Sequence, residues 1–382
     1  MSRPYLGAAG QLFDALVTDQ PRTHTYAQCR AEGPAAWSAR ARAVLLERLN
    51  FNPAAVPLDA QVLERTSEDG YVRETVEFAS TRHHRIKGEL LLPEGAQPPL
   101  AAVLALHDHG GFYSHGREKL VEGLSDSPAL GDFVARSYAG RFWASELARR
   151  GYAVLVTDVL GWGERRLPLE DLPQEVQEKL AQCEEGSQEW VNAFNAHSAQ
   201  LSPALNQHAA FAGLSWMGLV LWDDRRALDY LLSRPEVDAG RVACAGLSGG
   251  GWRSTYLMGA DERLAAGVIA GWMAHLGEQL LHPKRNHIGL YTAPALYSAL
   301  DHPDIAAIAV PKPLLVLQCE QDNLFSLESM RQACDDIGQV YEDSGHGDRF
   351  EGRFYDVPHC LNQEMQEEMF AWLDRWLTLA SF

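Results

Sequence analysis

The chain of 382 residues is long enough to bury a large core, either as one domain with insertions or as two domains. Its 46% hydrophobic and 22% charged residues are typical of a soluble globular protein. The 33 basic and 51 acidic residues give a formal net charge of −18, which argues against nucleic acid and anionic membrane as partners because both would be repelled.

The cysteines and the N-terminal segment bear on the cellular compartment. The six cysteines include no C-x-x-C pair and no spacing typical of zinc sites, which favours a reducing environment. The N-terminal residues lack the apolar stretch of a signal peptide, and no run of about 18 apolar residues occurs in the sequence. We therefore expect a cytoplasmic protein without a membrane partner.

The N-terminal region, residues 1–68, is predicted to be a helical extension. Residues 12–17 and 34–49 are its best helical segments, and Trp37 and Leu45 would lie on one buried face of the second. No recognisable chemistry occurs in this region. Packing on the main domain, covering an active site and contacts within a homo-oligomer are all compatible with it.

Residues 69–382 are predicted to form a single catalytic domain. Apolar and polar residues alternate at 72–78 and 86–92, which predicts an antiparallel strand pair. Continuous apolar runs at 100–106 and 152–157 predict strands that are buried on both faces. Because strands and helices then alternate towards the C-terminus, we predict an α/β fold with a mainly parallel central sheet flanked by helices.

Two stretches are too long to be ordinary connections between a helix and a strand. Residues 166–210, rich in Glu, Gln, Asn and Ala, are predicted to be a cap-like or peripheral insertion. Residues 271–303 form a second excursion. We expect both to contribute walls to a substrate pocket, so the sequence leaves the substrate specificity open.

The segment 241–252 carries the clearest signal for catalysis. A short apolar run ends in Gly-Leu-Ser-Gly-Gly, which matches the pattern G-x-S-x-G, and a helix is predicted to follow. Glycines on both sides relieve the crowding around a serine on a sharp turn between strand and helix. The positive end of the helix dipole would stabilise an oxyanion there. Ser248 is therefore the candidate nucleophile, and a small-residue turn without chemistry is the alternative.

A serine nucleophile needs a base, which is usually a histidine oriented by a carboxylate. Asp322 follows the predicted strand 313–318, and His359 follows the last predicted strand, in the chain order serine, acid, histidine. Glu320 is the alternative acid and His346 the alternative base. We favour Asp322 because Glu320 lies closer to its strand, and His359 because His346 lies in a glycine-rich turn before the last strand and not after it.

The loop 107–111, His-Asp-His-Gly-Gly, follows the first buried strand. Its glycines would let a backbone N–H approach the substrate oxygen. Gly111 is therefore predicted to form an oxyanion hole with Gly249, and Gly110 is the alternative. The two histidines of the loop form an H-x-H pattern, but no further metal ligands occur at a defined spacing, so we predict neither a metal nor another cofactor.

Several further segments indicate the same chemistry when they are taken together. They are His107–Tyr113, Gly116–Lys119, Asp158, Gly161–Gly163, Trp222–Tyr230, Arg234–Asp238, Gly246–Gly251, Glu320–Asp322 and Tyr355–His359. Through them the chain resembles, from about residue 70 to about residue 380, the acetyl xylan esterase and dienelactone hydrolase-like branch of the α/β-hydrolases. This resemblance implies a Ser-His-Asp carboxylic ester hydrolase, with Ser248, His359 and Asp322 as its catalytic triad.

The sequence thus predicts a serine esterase that acts on a small-molecule ester with an acetyl or other short acyl group, through an acyl-enzyme. Phe112, Tyr113, Trp162 and Trp252 are the candidate pocket residues. A serine peptidase or amidase of the prolyl-oligopeptidase-like type shares this triad, although it usually has a β-rich N-terminal domain. A non-catalytic binding protein with a hydrolase fold is the hypothesis from a different class.

Overall fold

The structure, a computed structural model, describes residues 7–19, 22–277, 293 and 296–378. Its strands are β1 (Gln61–Ser67), β2 (Tyr71–Thr81), β3 (His84–Pro93), β4 (Leu100–Leu106), β5 (Ala153–Thr157), β6 (Val237–Leu247), β7 (Ala266–Ala270), β8 (Leu314–Cys319) and β9 (Phe350–Tyr355). Its helices are α1 (Gly7–Asp19), α2 (Tyr26–Cys29), α3 (Pro34–Leu49), α4 (Pro128–Tyr138), α5 (Trp143–Arg149), α6 (Gln174–Leu180), α7 (Gln188–Phe211), α8 (Trp216–Ser233), α9 (Gly249–Ala260), α10 (His302–Ala307), α11 (Leu327–Asp343) and α12 (Gln363–Leu377).

The strands form one sheet in the order β1-β2-β3-β5-β4-β6-β7-β8-β9. The pairs β1–β2, β2–β3 and β3–β5 are antiparallel, and all pairs from β5–β4 onwards are parallel. Every residue of β4, β5, β7 and β8 is buried, because helices pack against these central strands. The predicted α/β class with a mainly parallel sheet is confirmed.

Residues 61–67 differ from the helical segment that the sequence predicts. They form β1, which pairs antiparallel with β2 from Gln61 opposite Glu77 to Ser67 opposite Val72. Six of its seven residues are exposed, so β1 lacks the alternation of buried and exposed positions that marks a half-buried strand. Its strand conformation therefore depends on pairing with β2, which local sequence does not reveal.

The remaining N-terminal helices lie against the sheet domain. Trp37 and Leu45 of α3 are fully buried, as the sequence predicts. The Ser38 hydroxyl donates to the carbonyl of Ile308 at 2.7 Å, and Arg42 Nε donates to the carbonyl of Gly259 at 3.1 Å. Of the roles that the sequence leaves open for this region, α3 packs on the main domain and supports the C-terminal end of α9.

Residues 166–210 contain the helix pair α6 and α7 beside the loop that follows β4. The Asn195 side-chain oxygen accepts from the Ser114 amide at 3.1 Å, and Arg166 Nη1 donates to the Ser114 carbonyl at 2.8 Å. The Ser127 hydroxyl donates to the Gly186 carbonyl at 2.6 Å. The insertion is thus fixed to the loop 114–127. No helix among the described residues has the length and hydropathy needed to cross a bilayer.

Candidate active site

Ser248 stands between β6 and α9 in a strained backbone conformation, with φ +55° and ψ −116°. Its amide donates to the Ala270 carbonyl of the neighbouring strand, and its carbonyl accepts from the Trp252 amide, both at 2.8 Å. A side chain on Gly246 or Gly250 would overlap the carbonyl oxygen of Leu106. Only glycine fits at these two positions, so the G-x-S-x-G sequence is required by close packing of the turn against β4.

His359 and Asp322 form a hydrogen-bonded pair. His359 Nδ1 lies 2.6 Å from Asp322 Oδ2, and Asp322 Oδ1 accepts from the Leu324 amide at 2.7 Å. The Asp322 carboxylate is fully buried, whereas 26% of the His359 side chain is exposed. His359 Nε2 has no hydrogen-bond partner among the residues that the structure describes. Because Asp322 engages Nδ1, the nitrogen left to exchange a proton is Nε2.

The two alternative residues lie elsewhere. Glu320 forms an ion pair with Arg331 of α11 at 2.9 Å. His346 precedes β9, at the opposite edge of the sheet from His359, and its Nδ1 lies 2.8 Å from the Ser344 carbonyl. The structure therefore pairs His359 with Asp322 and places neither alternative beside it.

Ser248 and His359 line a common cavity of about 390 Å³. The other lining residues come from the loop after β4, from α4, from the end of β6 and from the loops after β7 and β8: Asp108, His109, Gly110, Gly111, Phe133, Arg136, Ser137, Leu247, Trp272 and Leu324. No described residue of the insertion 166–210 is among them. Phe133, Arg136, Trp272 and Leu324 are lining residues that no sequence motif singled out.

The segment that forms α4 carries local signals for a helix. Ser127 caps the helix by accepting from the Leu130 amide at 3.3 Å, and Pro128 occupies the first turn. The buried residues Leu130, Phe133 and Val134 then recur at helical spacing. This Ser-Pro start with an apolar stripe predicts a helix in the stretch between β4 and α5.

The two predicted oxyanion donors, Gly249 and Gly111, have different hydrogen-bond surroundings. Gly249 is the first residue of α9, so its N–H has no acceptor within the helix. The Gly111 amide, in contrast, donates to Nδ1 of His109 at 2.9 Å, within its own loop. A side chain on Gly249 would come within 2.7 Å of the His109 amide nitrogen. The His109 amide thus lies beside the residue that follows Ser248, and Gly111 lines the same cavity as Ser248.

A buried network holds this loop in place. Lys119 is fully buried, and its Nζ donates to the carbonyl of Asp108 at 2.9 Å and to that of His109 at 3.3 Å. The Asp108 carboxylate accepts from Lys119 Nζ at 3.3 Å and from the Tyr138 hydroxyl. Burial lowers the pKa of Lys119 despite the nearby carboxylate. These hydrogen bonds to the Asp108 carboxylate and to two backbone carbonyls hold the loop beside Ser248.

The two histidines of the loop have local hydrogen-bond partners. His107 Nδ1 donates to the Asp108 carbonyl at 2.9 Å, and its Nε2 accepts from the Val159 amide at 3.0 Å. Burial lowers the pKa of His107 well below its ordinary value, so the ring is neutral. In the described part of the chain, no group of three or more His, Cys, Asp or Glu side chains is arranged to hold a metal ion.

The four predicted pocket aromatics do not line the cavity that holds Ser248. Tyr113 stacks on Trp162 with ring centroids 4.6 Å apart, and Phe112 packs on Phe133 at 4.7 Å. Trp162 and Trp252 line a separate small space of about 20 Å³ beside Gly249. All four are buried, so they support the walls behind the site.

The small cavity beside Gly249 also contacts a buried ion pair between α8 and α9. Arg253 donates to Asp224 through Nε at 3.0 Å and through Nη2 at 2.5 Å, and each side chain is 2% exposed. Arg253 Nη1 is buried without a partner among the described residues. Burial raises the pKa of Asp224 although Arg253 opposes that shift. The pair fixes the orientation of α9, which carries the serine turn at its N-terminus.

Asp224→Asn is expected to lower the free energy of unfolding by about 3–5 kcal/mol, because it leaves the Arg253 guanidinium buried and uncompensated. Denaturant unfolding followed by tryptophan fluorescence measures this change. The double variant Asp224→Leu/Arg253→Met removes both charges and is expected to recover most of the loss. A double variant that is as unstable as the single one would contradict the charge-based explanation.

Comparison with known proteins identifies the fold. No protein-family model matches the chain. The chain is 23% identical over 344 residues to the inferred hydrolase YtaP of Bacillus subtilis (strain 168), across 89% of this chain and 99% of YtaP. An inferred acetyl xylan esterase from Bacteroides fragilis NCTC 9343 is similar in structure, with a TM-score of 0.67 and 17% identity over 92% of this chain and 82% of the other. A glucuronoyl esterase from Solibacter usitatus gives a TM-score of 0.61 and 15% identity over 90% of this chain and 93% of the other. The chain therefore has the α/β-hydrolase fold.

Proposed function

We propose that this chain is a serine carboxylic ester hydrolase in which Ser248 is the nucleophile, His359 the general base and acid, and Asp322 the residue that orients His359. The observation that carries the proposal is one cavity lined by both Ser248 and His359, with His359 Nδ1 held by Asp322 at 2.6 Å. Esterases among the proteins of similar structure support the same assignment.

The residues of the site account for each step of ester hydrolysis. His359 Nε2 takes the Ser248 hydroxyl proton as the oxygen attacks the ester carbonyl, and Asp322 stabilises the imidazolium that forms. The Gly249 amide, at the N-terminus of α9, donates to the tetrahedral oxyanion, and we assign the second donor to the His109 amide in place of Gly111. His359 returns the proton to the leaving alkoxide. Water activated by His359 then hydrolyses the acyl-enzyme.

The cavity indicates a small substrate. Its volume of about 390 Å³ lies at the lower end of the range of small-molecule sites. The apolar side chains of Phe133, Trp272 and Leu324 contribute to its walls. We therefore propose an ester with an acetyl or other short acyl group as the substrate, in agreement with the acetyl xylan esterase named among the similar structures.

A fluorophosphonate probe tests the assignment directly. We expect the purified protein to hydrolyse 4-nitrophenyl acetate and butyrate, and the probe to abolish this activity by forming one adduct, mapped to Ser248 by mass spectrometry. A protein that neither hydrolyses these esters nor takes the label would contradict the proposal and favour a binding role. If Ser248 is labelled but anilides are cleaved faster than matched esters, the result would instead favour the hypothesis of a peptidase or amidase.

A further inference from the structure

Arg136 is a charged residue in the wall of the catalytic cavity. It lies on α4, one residue before Ser137, and both line the same cavity as Ser248 and His359. The side chain is exposed, and within the described residues it forms no ion pair. Asp132, one turn earlier on α4, does not pair with it, although that spacing permits an ion pair on a helix.

The other charged groups around the cavity are already compensated. The Asp108 carboxylate is 2% exposed and bonded to Lys119 and Tyr138. The Asp322 carboxylate is fully buried behind His359. Among the described lining residues, Arg136 thus provides the one exposed permanent charge, and that charge is positive in a chain whose formal net charge is −18.

The position of the guanidinium is set by an aromatic side chain of the same wall. Arg136 Cζ lies 5.4 Å from the ring centroid of Phe133, which also lines the cavity. A cation at this distance from an aromatic ring is attracted to it. In addition to this ring contact, no carboxylate of the described residues accepts a hydrogen bond from the Arg136 guanidinium, so its N–H donors can bind a substrate group. A guanidinium matches a carboxylate in geometry and charge and often binds it through two hydrogen bonds.

We propose that Arg136 binds a carboxylate of the substrate, so that the preferred substrates are small esters bearing an ionised carboxylate in addition to the ester group. This proposal rests on the proposed esterase function and adds a substrate class to it. Because the protein as a whole repels anions, a local cation at the cavity is needed to hold such a substrate. Arg136 is therefore a specificity residue, and the chemistry stays with Ser248.

Two pairs of matched esters test the proposal, one for each side of the ester bond. The acyl side is tested with the 4-nitrophenyl hemiester of adipic acid against 4-nitrophenyl hexanoate. The alcohol side is tested with 4-acetoxybenzoate against phenyl acetate. The uncatalysed rate is subtracted for each ester. We expect the wild-type protein to prefer the anionic member of at least one pair, and added salt to weaken that preference.

Arg136→Gln is expected to lower kcat/KM for the preferred anionic ester about 10-fold or more, mainly through KM, because a hydrogen-bonded charge is lost. The neutral partner should change less than about twofold. Arg136→Lys should retain part of the preference, since it keeps the charge and loses the planar fork. Arg82→Gln makes the same charge change in the turn between β2 and β3 and should leave both rates unaltered.

The outcomes separate this proposal from the one on which it rests. Hydrolysis of neutral esters with no preference for either anionic ester, or equal losses for both members of a pair in Arg136→Gln, would overturn the role of Arg136 and leave the esterase function standing. Failure to hydrolyse any of the four esters, together with no fluorophosphonate adduct on Ser248, would overturn the esterase function and the Arg136 proposal with it.

Discussion

Ser248→Ala is expected to lower kcat for 4-nitrophenyl butyrate on the order of 10⁶-fold, because it removes the atom that forms the acyl-enzyme. The residual rate would come from substrate binding and from stabilisation of the oxyanion by the Gly249 amide. Serine and alanine both have to adopt the strained backbone angles φ +55° and ψ −116° at this position. The cost of that strain is similar for the two residues, so the free energy of unfolding should change little. Stopped-flow or steady-state release of 4-nitrophenolate measures the rate, and thermal unfolding checks the fold.

A matched serine separates loss of the nucleophile from a general effect of the substitution. Ser344 ends α11 at the edge of the sheet opposite Ser248, and its hydroxyl donates to the Tyr341 carbonyl at 2.7 Å. Ser344→Ala should therefore keep the wild-type rate and remain labelled by the fluorophosphonate. If Ser248→Ala retained more than about a tenth of the wild-type kcat, another residue would have to be the nucleophile, since loss of a serine nucleophile costs far more.

The geometry around the candidate triad could be predicted because its signals are local. Each of the three residues closely follows a strand at the carboxyl edge of the sheet, and β6 and β8 contain the apolar runs 242–245 and 314–317. The glycines around Ser248 mark a turn that excludes side chains, and the structure gives the reason as contact with the Leu106 carbonyl. Parallel strands have their carboxyl ends at one edge of the sheet. The positions of Asp322 and His359 after two such strands were therefore sufficient to predict that the two side chains lie close together.

The cavity walls could not be predicted in the same way, because they depend on which side chains meet across the fold. Tyr113 lies just after the loop 107–111, and Trp162 lies in the loop after β5. Both positions are close in sequence to predicted motifs, yet the two rings stack on each other behind the site. Phe133 and Arg136 reach the cavity from α4, which follows none of the sequence motifs around the triad. Sequence adjacency to a motif is therefore a weak guide to the specificity pocket, whereas strand ends are a strong guide to the triad.

The oxyanion hole shows a further limit, at the scale of single hydrogen bonds. The two glycines of the loop after β4 permit close approach to a substrate, and the sequence supports that much. In the structure, the His109 ring accepts the Gly111 N–H at 2.9 Å, so this amide is already engaged within its own loop. That ring also packs against Tyr113 and Trp162, at centroid distances of 5.1 and 4.9 Å. Our assignment of the second donor to the His109 amide therefore rests on tertiary packing that no local pattern encodes.

Asp322→Asn is expected to lower kcat for the same ester on the order of 10⁴-fold, with a smaller change in KM. The carboxylate accepts a hydrogen from His359 Nδ1 and thereby leaves Nε2 unprotonated towards Ser248. An asparagine can present its amide N–H to Nδ1, which favours the tautomer with the proton on Nε2, and that nitrogen can no longer take the serine proton. The Ser248 adduct with fluorophosphonate should still form, but much more slowly.

Glu320→Gln provides the matched control, because it makes the same acid-to-amide change two residues earlier. Glu320 is paired with Arg331 at 2.9 Å, away from His359, and the two side chains are 28% and 58% exposed. Loss of such an exposed pair should cost less than about 1 kcal/mol of stability and leave kcat within about threefold of wild type. Equal damage from Glu320→Gln and Asp322→Asn would mean that the orientation of His359 depends on the loop after β8 as a whole. A loss confined to Asp322→Asn would assign that role to a single carboxylate.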